Sequence, residues 1–271
     1  FPLIGEVLHG DYNLIVNDEM LDSCTNYECY KGLYSSFNSM NMFEIAHSLH
    51  RQFGGDPWCI YRGKHLVSFA DNHDVTRLAS ILTCKEHLRG AYGVLFGMPG
   101  IPCLYYGSEW GQLGQKGTGY LADVEIRPQL DAPAADALEH LAAGWEGGGA
   151  PNQLTAYICE LNHVRRASRA LCHGSYRNVV ITNKQLLFER DAPASAGRDA
   201  ECVLVAVNAE DCPFTLNDGA LNGRFEVLLA SAPCADDPNA ATDYPQTGDL
   251  LELEGSLTLL PYGVLYLRRT M

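Results

Sequence analysis

The chain has 271 residues, enough for one large domain or two ordinary ones, and 46% of them are hydrophobic. That fraction supplies a sizeable core and argues against global disorder. The formal net charge is −14, with a pI near 5.0. Such a balance argues against nucleic acid as a partner, and no apolar run approaches the roughly 20 residues that span a bilayer.

The opening Phe1-Pro2-Leu3-Ile4-Gly5-Glu6 has neither the basic region nor the long apolar region of a signal peptide. It also lacks an initiator Met and opens mid-strand, so the N-terminus reads as cut and secretion stays open. The ten cysteines include no Cys-x-x-Cys pair, which makes zinc and dithiol motifs poor readings. Several, such as Cys103 and Cys202, sit in apolar runs where Cys behaves as a small hydrophobe. Free thiols in a reducing, cytoplasmic compartment are expected.

Phe1 to Val7 reads as a short buried strand ending at Gly5-Glu6, and Gly10-Asp11 signals a turn. Met20 to Tyr34 is ambiguous between strand and helix. From Asn41 to Phe53 the spacing of Phe43, Ile45, Ala46, Leu49 and Phe53 predicts a helix stopped by Gly54-Gly55, with His47 and His50 on its solvated side. Leu66 to Ala70 is the second clear strand. It runs straight into Asp71-Asn72-His73-Asp74, an expensive arrangement unless that cluster lines a site.

Leu88 to Met98 predicts a helix, and Gly100 to Gly107 another short buried strand with a polar tip at Ser108-Glu109-Trp110. Glycines at 111, 114, 117 and 119 mark a long loop that has neither Walker spacing nor a following helix, so it is no phosphate cradle. Ala134 to Ala143 and Leu154 to Leu171 predict two more helices. Strand, loop and helix thus alternate to about residue 172, which argues for a parallel sheet or barrel.

The composition then changes. Val179 to Ile181, Gln185 to Phe188, Cys202 to Val207, Phe225 to Leu229, Leu250 to Leu253 and Val264 to Leu267 are short apolar runs between turn-rich segments. They predict an antiparallel β domain over 174–271, after an α/β unit over 1–173.

Two carboxylates, Glu6 and Asp74, stand at strand ends. Glycoside cleavage uses paired carboxyl groups around the scissile bond, and a partly apolar strand end can raise the pKa of the acid. Parallel strands of α/β barrels carry their chemistry at this end. His73 is placed to donate to a sugar hydroxyl.

Three motifs carry a resemblance. Phe69-Ala70-Asp71-Asn72-His73-Asp74 resembles the α-amylase family motif in which an apolar strand ends in Asn-His-Asp. The run from Gly100 to Glu109 resembles the family's strand-eight signature, Gly-Ile-Pro followed by Tyr-Tyr-Gly and a Glu. Leu3-Ile4-Gly5-Glu6-Val7 resembles its strand-five motif. The resemblance implies the C-terminal half, strands five to eight, of a TIM (β/α)8 barrel followed by an antiparallel sandwich domain.

It also implies roles. Glu6 protonates the leaving oxygen and then deprotonates water, Asp74 binds sugar hydroxyls in the transition state, and His73 hydrogen-bonds the sugar. Arg77 matches an Arg of some maltodextrin-acting relatives and is a candidate substrate contact, with a surface salt bridge as the plainer alternative. Glu109 reads as structural. The implied partner is an α-glucan oligosaccharide. No cofactor is called for, no metal ligands are assigned, and a calcium ion in the complete enzyme has no ligands visible in these residues.

The departure from the family is the nucleophile, an Asp in an Arg-x-Asp context at the end of strand four. Only five residues precede Glu6, and Asp11, Asp18 and Asp123 all fall in loops. A complete barrel takes about 250 residues. The isolated chain is therefore expected to be inactive and to need a missing N-terminal half or a dimer partner over its open face. Competing readings are a transglycosylase of the same family and a non-catalytic carbohydrate- or partner-binding relative.

Overall fold

A computed structural model describes residues 1–129, 152–195, 197–232 and 244–270. Its first part contains four short strands, β1 (Ile4–Gly5), β2 (Ser23–Cys24), β3 (Val67–Phe69) and β4 (Ile101–Cys103). β1 pairs with β2 and β3 with β4, both in parallel, and a parallel bridge between Thr25 and Val67 joins the two pairs. The order across the layer is therefore the order along the chain.

The ambiguous segment from Met20 to Tyr34 splits into β2 and helix α1 (Tyr27–Asn38). Asn26 makes the switch. Its side chain caps α1 by accepting from the Cys29 N–H, and its own N–H donates to the Val67 carbonyl. The Asn26 and Gln52 amides exchange two buried hydrogen bonds, 2.7 and 3.2 Å long. That exchange pins α1 to helix α2 (Phe43–Phe53), which buries Ile45, Ala46, Leu49 and Phe53. Phe43, expected on this apolar face, is 48% exposed in the first turn instead. His47 is exposed and His50 half-buried.

After β3 come the short helix α3 (Leu78–Ile81) and α4 (His87–Gly97), which is almost wholly buried. The glycines of α4 face its neighbours. A Cβ on Gly90 would stand 2.7 Å from the Phe37 ring, one on Gly93 2.8 Å from Val264, and one on Gly97 2.9 Å from Phe188. Side chains at these three positions would push the helix off its packing partners.

The single helix expected from Leu154 to Leu171 is two: α5 (Gln153–Ala167) and α6 (Arg169–His173). Ser168, at φ −106° and ψ 120°, leaves the helical region and uses its hydroxyl oxygen to cap α6 at Leu171. The helix expected over 134–143 lies outside the described residues.

The remaining strands are β5 (Ser175–Ile181), β6 (Gln185–Ala192), β7 (Glu201–Asn208), β8 (Phe214–Ser231), β9 (Leu250–Leu259) and β10 (Val264–Thr270). They form one antiparallel sheet in the order β5-β6-β7-β10-β8-β9. Both faces of its centre are apolar. Phe188, Val205, Val207 and Tyr266 join the helices in one cluster, while Leu187, Leu204, Leu265 and Leu267 meet Leu216, Val227, Leu257 and Leu259 in another. A sheet covered on both sides explains why Cys202 to Val207 is a continuous apolar run.

The two parts share polar contacts as well as core. The Tyr266 hydroxyl donates to the Gly93 carbonyl, and His87 Nε2 lies 2.9 Å from the Ala209 carbonyl oxygen. Arg165 and Arg190 donate to carbonyls at the C-terminal end of α4, where helix carbonyls lack partners.

The expectation of buried first and fourth strands needs correction. Leu3, Ile4, Ile101 and Leu104 are 37–58% exposed, because no layer among the described residues covers that face of the parallel strands. The nine described cysteines form no disulfide. No helix among the described residues is long and apolar enough to cross a membrane.

Candidate active site

Glu6 follows β1 directly, and Asp71 to Asp74 follow β3, so both groups emerge at the C-terminal ends of parallel strands. Tyr27, the first residue of α1, links them. Its hydroxyl donates to Glu6 Oε1 at 2.9 Å and accepts from Asn72 Nδ2 at 3.0 Å. The other end of the Asn72 amide, Oδ1, accepts from the Asp74 N–H at 2.8 Å. One relay of hydrogen bonds thus spans the ends of β1, β2 and β3. Burial first, then the hydrogen bond to Glu6, holds the Tyr27 hydroxyl above its ordinary pKa of 10.0, so it stays a donor through the neutral range.

Ligand-type atoms of Glu6, His73 and Asp74 all lie within 4.8 Å of one another. His73 Nε2 is 3.3 Å from Asp74 Oδ2, and Arg127 Nη2 is 2.6 Å from Asp74 Oδ1. Arg127 also donates to the His73 carbonyl and pairs with Asp123, whose second oxygen meets Lys116 Nζ. Asp74 is braced from both sides, and its charge is balanced by a fixed guanidinium. The hydrogen bond from Lys116, followed by the charge of Arg127, holds Asp123 below the usual carboxylate range.

Three of the four expected site residues are therefore brought together. Arg77 is not among them. It is fully buried, donates to the Ile126 and Tyr106 carbonyls and to Ser108 Oγ, and lies 4.0 Å from the centre of the Tyr105 ring. Its burial leaves no surface for a sugar to meet, and it forms no salt bridge among the described residues. Its long side chain turns inward and ties the loop after β4 to the end of β3.

Asp71 is buried beside it, accepting from the Leu78 N–H at 2.8 Å and from the Ser108 hydroxyl at 2.7 Å. Burial raises its pKa against the lowering effect of those donors and of Arg77. Glu109 is half-buried in the turn after β4, where its carbonyl accepts from Thr155.

Tyr27 and Arg127 escaped the sequence reading, and Asp123 entered it only as a nucleophile candidate set aside for lying in a loop. Tyr27 lay in a segment with no clear period, and the other two in a glycine-rich loop whose path no pattern fixes. Asn72 was visible inside the motif, without a reason to assign it.

Two further trios of ligand-type side chains exist among the described residues, His50 with Asp56 and Cys59, and Glu210 with Asp211 and Cys212. Calcium takes six to eight oxygen ligands, and each of the three clusters mixes carboxylates with imidazole or thiol. None fits calcium.

No protein-family model matches the chain. A stretch of 62 residues, 22% of the chain, is 39% identical to 13% of a 4-alpha-glucanotransferase from Thermotoga maritima. An Anoxybacillus α-amylase structure matches the whole chain with a TM-score of 0.70 and 20% identity, covering 53% of that protein. The acarbose complex of a Geobacillus thermoleovorans α-amylase matches with a TM-score of 0.68 and 16% identity, over 100% of this chain and 54% of that one. An acarbose-soaked Nostoc punctiforme debranching enzyme matches at 0.65 and 19%, over 98% and 50%.

The structural neighbours are α-amylase family glycoside hydrolases, and the fold of this chain is similar to their C-terminal regions. The chain spans about half the length of these solved structures.

Proposed function

We propose that the chain carries the acid/base side of the active site of a retaining, α-1,4-glucan-cleaving glycoside hydrolase. In this reading β1 to β4 are strands five to eight of a (β/α)8 barrel over residues 1–173, and 174–271 is the β domain that follows. The observation that carries the reading is the convergence of Glu6, His73 and Asp74 at two parallel strand ends, joined through Tyr27 and Asn72.

Glu6, exposed at the end of β1, gives a proton to the leaving glycosidic oxygen and takes one from the incoming water. Asp74 accepts from sugar hydroxyls, a contact that strengthens as positive charge develops on the sugar ring. His73, 51% exposed, donates to the same sugar. The ligand is a maltodextrin-type oligosaccharide, in keeping with the acarbose held by two of the neighbours.

Retaining cleavage needs a nucleophilic carboxylate about 5–5.5 Å from the acid. Asp123, the other carboxylate at the cluster, is held by Lys116 and Arg127 and follows no strand. A complementary barrel half is proposed to bring the nucleophile, and the 271-residue chain alone is proposed to be inactive. The same half, or a second copy of the chain, would cover the exposed Ile4 and Ile101.

The test is maltooligosaccharide cleavage by the chain co-expressed with an N-terminal barrel half, with Glu6→Gln as control. Equal rates for wild type and variant would sink the hydrolase reading. A second reading, sugar rather than water as acceptor, is favoured by the 62-residue match to a glucanotransferase. Longer products than the starting oligosaccharide would identify it.

A further inference from the structure

A second concentration of chemistry lies at the other ends of β3 and β4, before Val67 and Ile101. A cavity of about 300 Å³ is lined there by Arg62, Lys64, His65, His173 and Arg190, and no Asp or Glu lines it. In a chain of net charge −14, one hollow with five basic groups and no carboxylate is an uneven placement of charge.

The uneven placement deepens behind the cavity. Arg190 is 1% exposed and Arg165 is 5% exposed. The hydrogen bonds they make run to backbone carbonyls, Arg165 to Phe96, Met98 and Gly100, Arg190 to Gly97, Gly174 and Ser175. Carbonyl dipoles solvate a guanidinium but do not neutralise it, and buried charges in proteins are normally paired. Burial, then the charge of Arg165, pushes Arg190 down to about 9. Partial desolvation, then the charges of His173, Arg165 and Arg190, holds His65 below the usual imidazole range.

Capping the end of α4, with the carbonyls of Gly100, Gly174 and Ser175, accounts for the hydrogen bonds of the two buried arginines. It does not account for Arg62, Lys64, His65 and His173 at the same hollow. The His65 and His173 rings stand edge to face with centroids 5.4 Å apart. Arg62 donates to the Gly55 and Asp56 carbonyls and Lys64 to the Val16 carbonyl, which leaves each with donors to spare. An adjoining cavity of about 420 Å³ shares His65 and His173 and includes Asp22, whose Oδ2 accepts from the Leu3 N–H.

We propose that this cavity binds a tetrahedral oxyanion, either inorganic phosphate or the phosphate group of a small ester such as a sugar phosphate. Arg62, Lys64, His65 and His173 make the contacts, and Arg190 with Arg165 supplies fixed background charge. The site sits at the opposite strand ends from Glu6 and Asp74, so its ligand does not compete with a glucan. The inference is independent of the hydrolase reading.

The experiment titrates inorganic phosphate, glucose 1-phosphate and chloride, at matched ionic strength, into the full chain. The His65 and His173 ring resonances are followed by NMR. The expected result is a saturable shift of both, for one or both phosphates and not for chloride. Tighter binding of glucose 1-phosphate marks an ester site, and equal or tighter binding of inorganic phosphate marks a free-phosphate site. His173→Asn and the exposed Arg62→Gln should each weaken binding by about fivefold or more, the scale of one charge-assisted hydrogen bond. If His173→Asn fails to fold, Arg62→Gln decides alone. No saturable shift, an equal response to chloride, or binding unchanged in the folded variants would overturn the proposal.

Discussion

The Tyr27 hydroxyl donates to Glu6 at 2.9 Å while accepting from Asn72 at 3.0 Å, so a residue of α1 sets the position of the carboxylate after β1 relative to the motif after β3. Replacing it with Phe keeps the ring, which packs edge to face on Phe69 at 5.0 Å, and removes only the hydroxyl. In the proposed assembly with an N-terminal barrel half, Tyr27→Phe should lower kcat by about tenfold to a hundredfold, the scale of a misplaced catalytic group. Steady-state kinetics on maltooligosaccharides, with an unfolding curve to show unchanged stability, checks this.

Arg127 does two things for Asp74. It balances the carboxylate and holds the His73 carbonyl at 2.7 Å. Arg127→Gln should raise KM and lower kcat together, because Asp74 loses its brace. Stability should change little, since an exposed pair contributes about 1 kcal/mol or less. A large loss of stability with unchanged kinetics would contradict this role.

Arg77 is expected to behave in the opposite way. Its buried guanidinium joins Ser108 and the Ile126 and Tyr106 carbonyls beside the ionisable Asp71. Arg77→Met should cost about 1–3 kcal/mol in urea unfolding, because it leaves the buried Ile126 and Tyr106 carbonyls and the Ser108 hydroxyl without their donor. Arg77→Lys should recover little, since an ammonium lacks the planar fork.

The α4 glycines give a packing test. A side chain at Gly97 meets Phe188, the Tyr266 hydroxyl and Val205 within about 3 Å. Gly97→Val should therefore destabilise by about 1–3 kcal/mol despite removing a glycine from a helix. The Gly55→Ala control, at a loop position with no atom within 4 Å of the added Cβ and no positive φ, should be milder and purely local.

His87 joins α4 to the sheet through the Ala209 carbonyl, and burial holds its pKa below the ordinary 6.5. The unfolded chain then binds a proton more readily than the folded one. Stability from this group is present above pH 6.5 and is lost as pH falls through that value towards the folded pKa. His87→Gln keeps a donor without titrating, so its unfolding free energy should show a shallower fall between pH 7 and 5 than the wild type.

Most of the architecture was legible because the apolar runs are strong. The helices over 43–53 and 87–97 and the antiparallel strands follow from periodicity and turn chemistry. The break at Ser168 was hidden, since the apolar period continues across it and only a hydroxyl cap ends the first helix. Glu6, His73 and Asp74 were legible as polar residues at the ends of apolar strands. Arg77 was misread because its inward path depends on Tyr105, Ser108 and Ile126, which lie 28 to 49 positions away in the chain. Arg127 reaches Asp74 across 53 positions through a loop without a pattern, so nothing local announces it.

In the proposed mechanism Glu6 transfers the proton. The most direct measurement is the rate of maltooligosaccharide cleavage by the chain joined to a complementary N-terminal barrel half, compared with the same assembly carrying Glu6→Gln. A loss of about 10²–10⁴-fold in kcat, the usual contribution of a general acid/base, is expected, with the oligosaccharide still bound. A Glu6→Gln assembly that cleaves as fast as the wild type would contradict it.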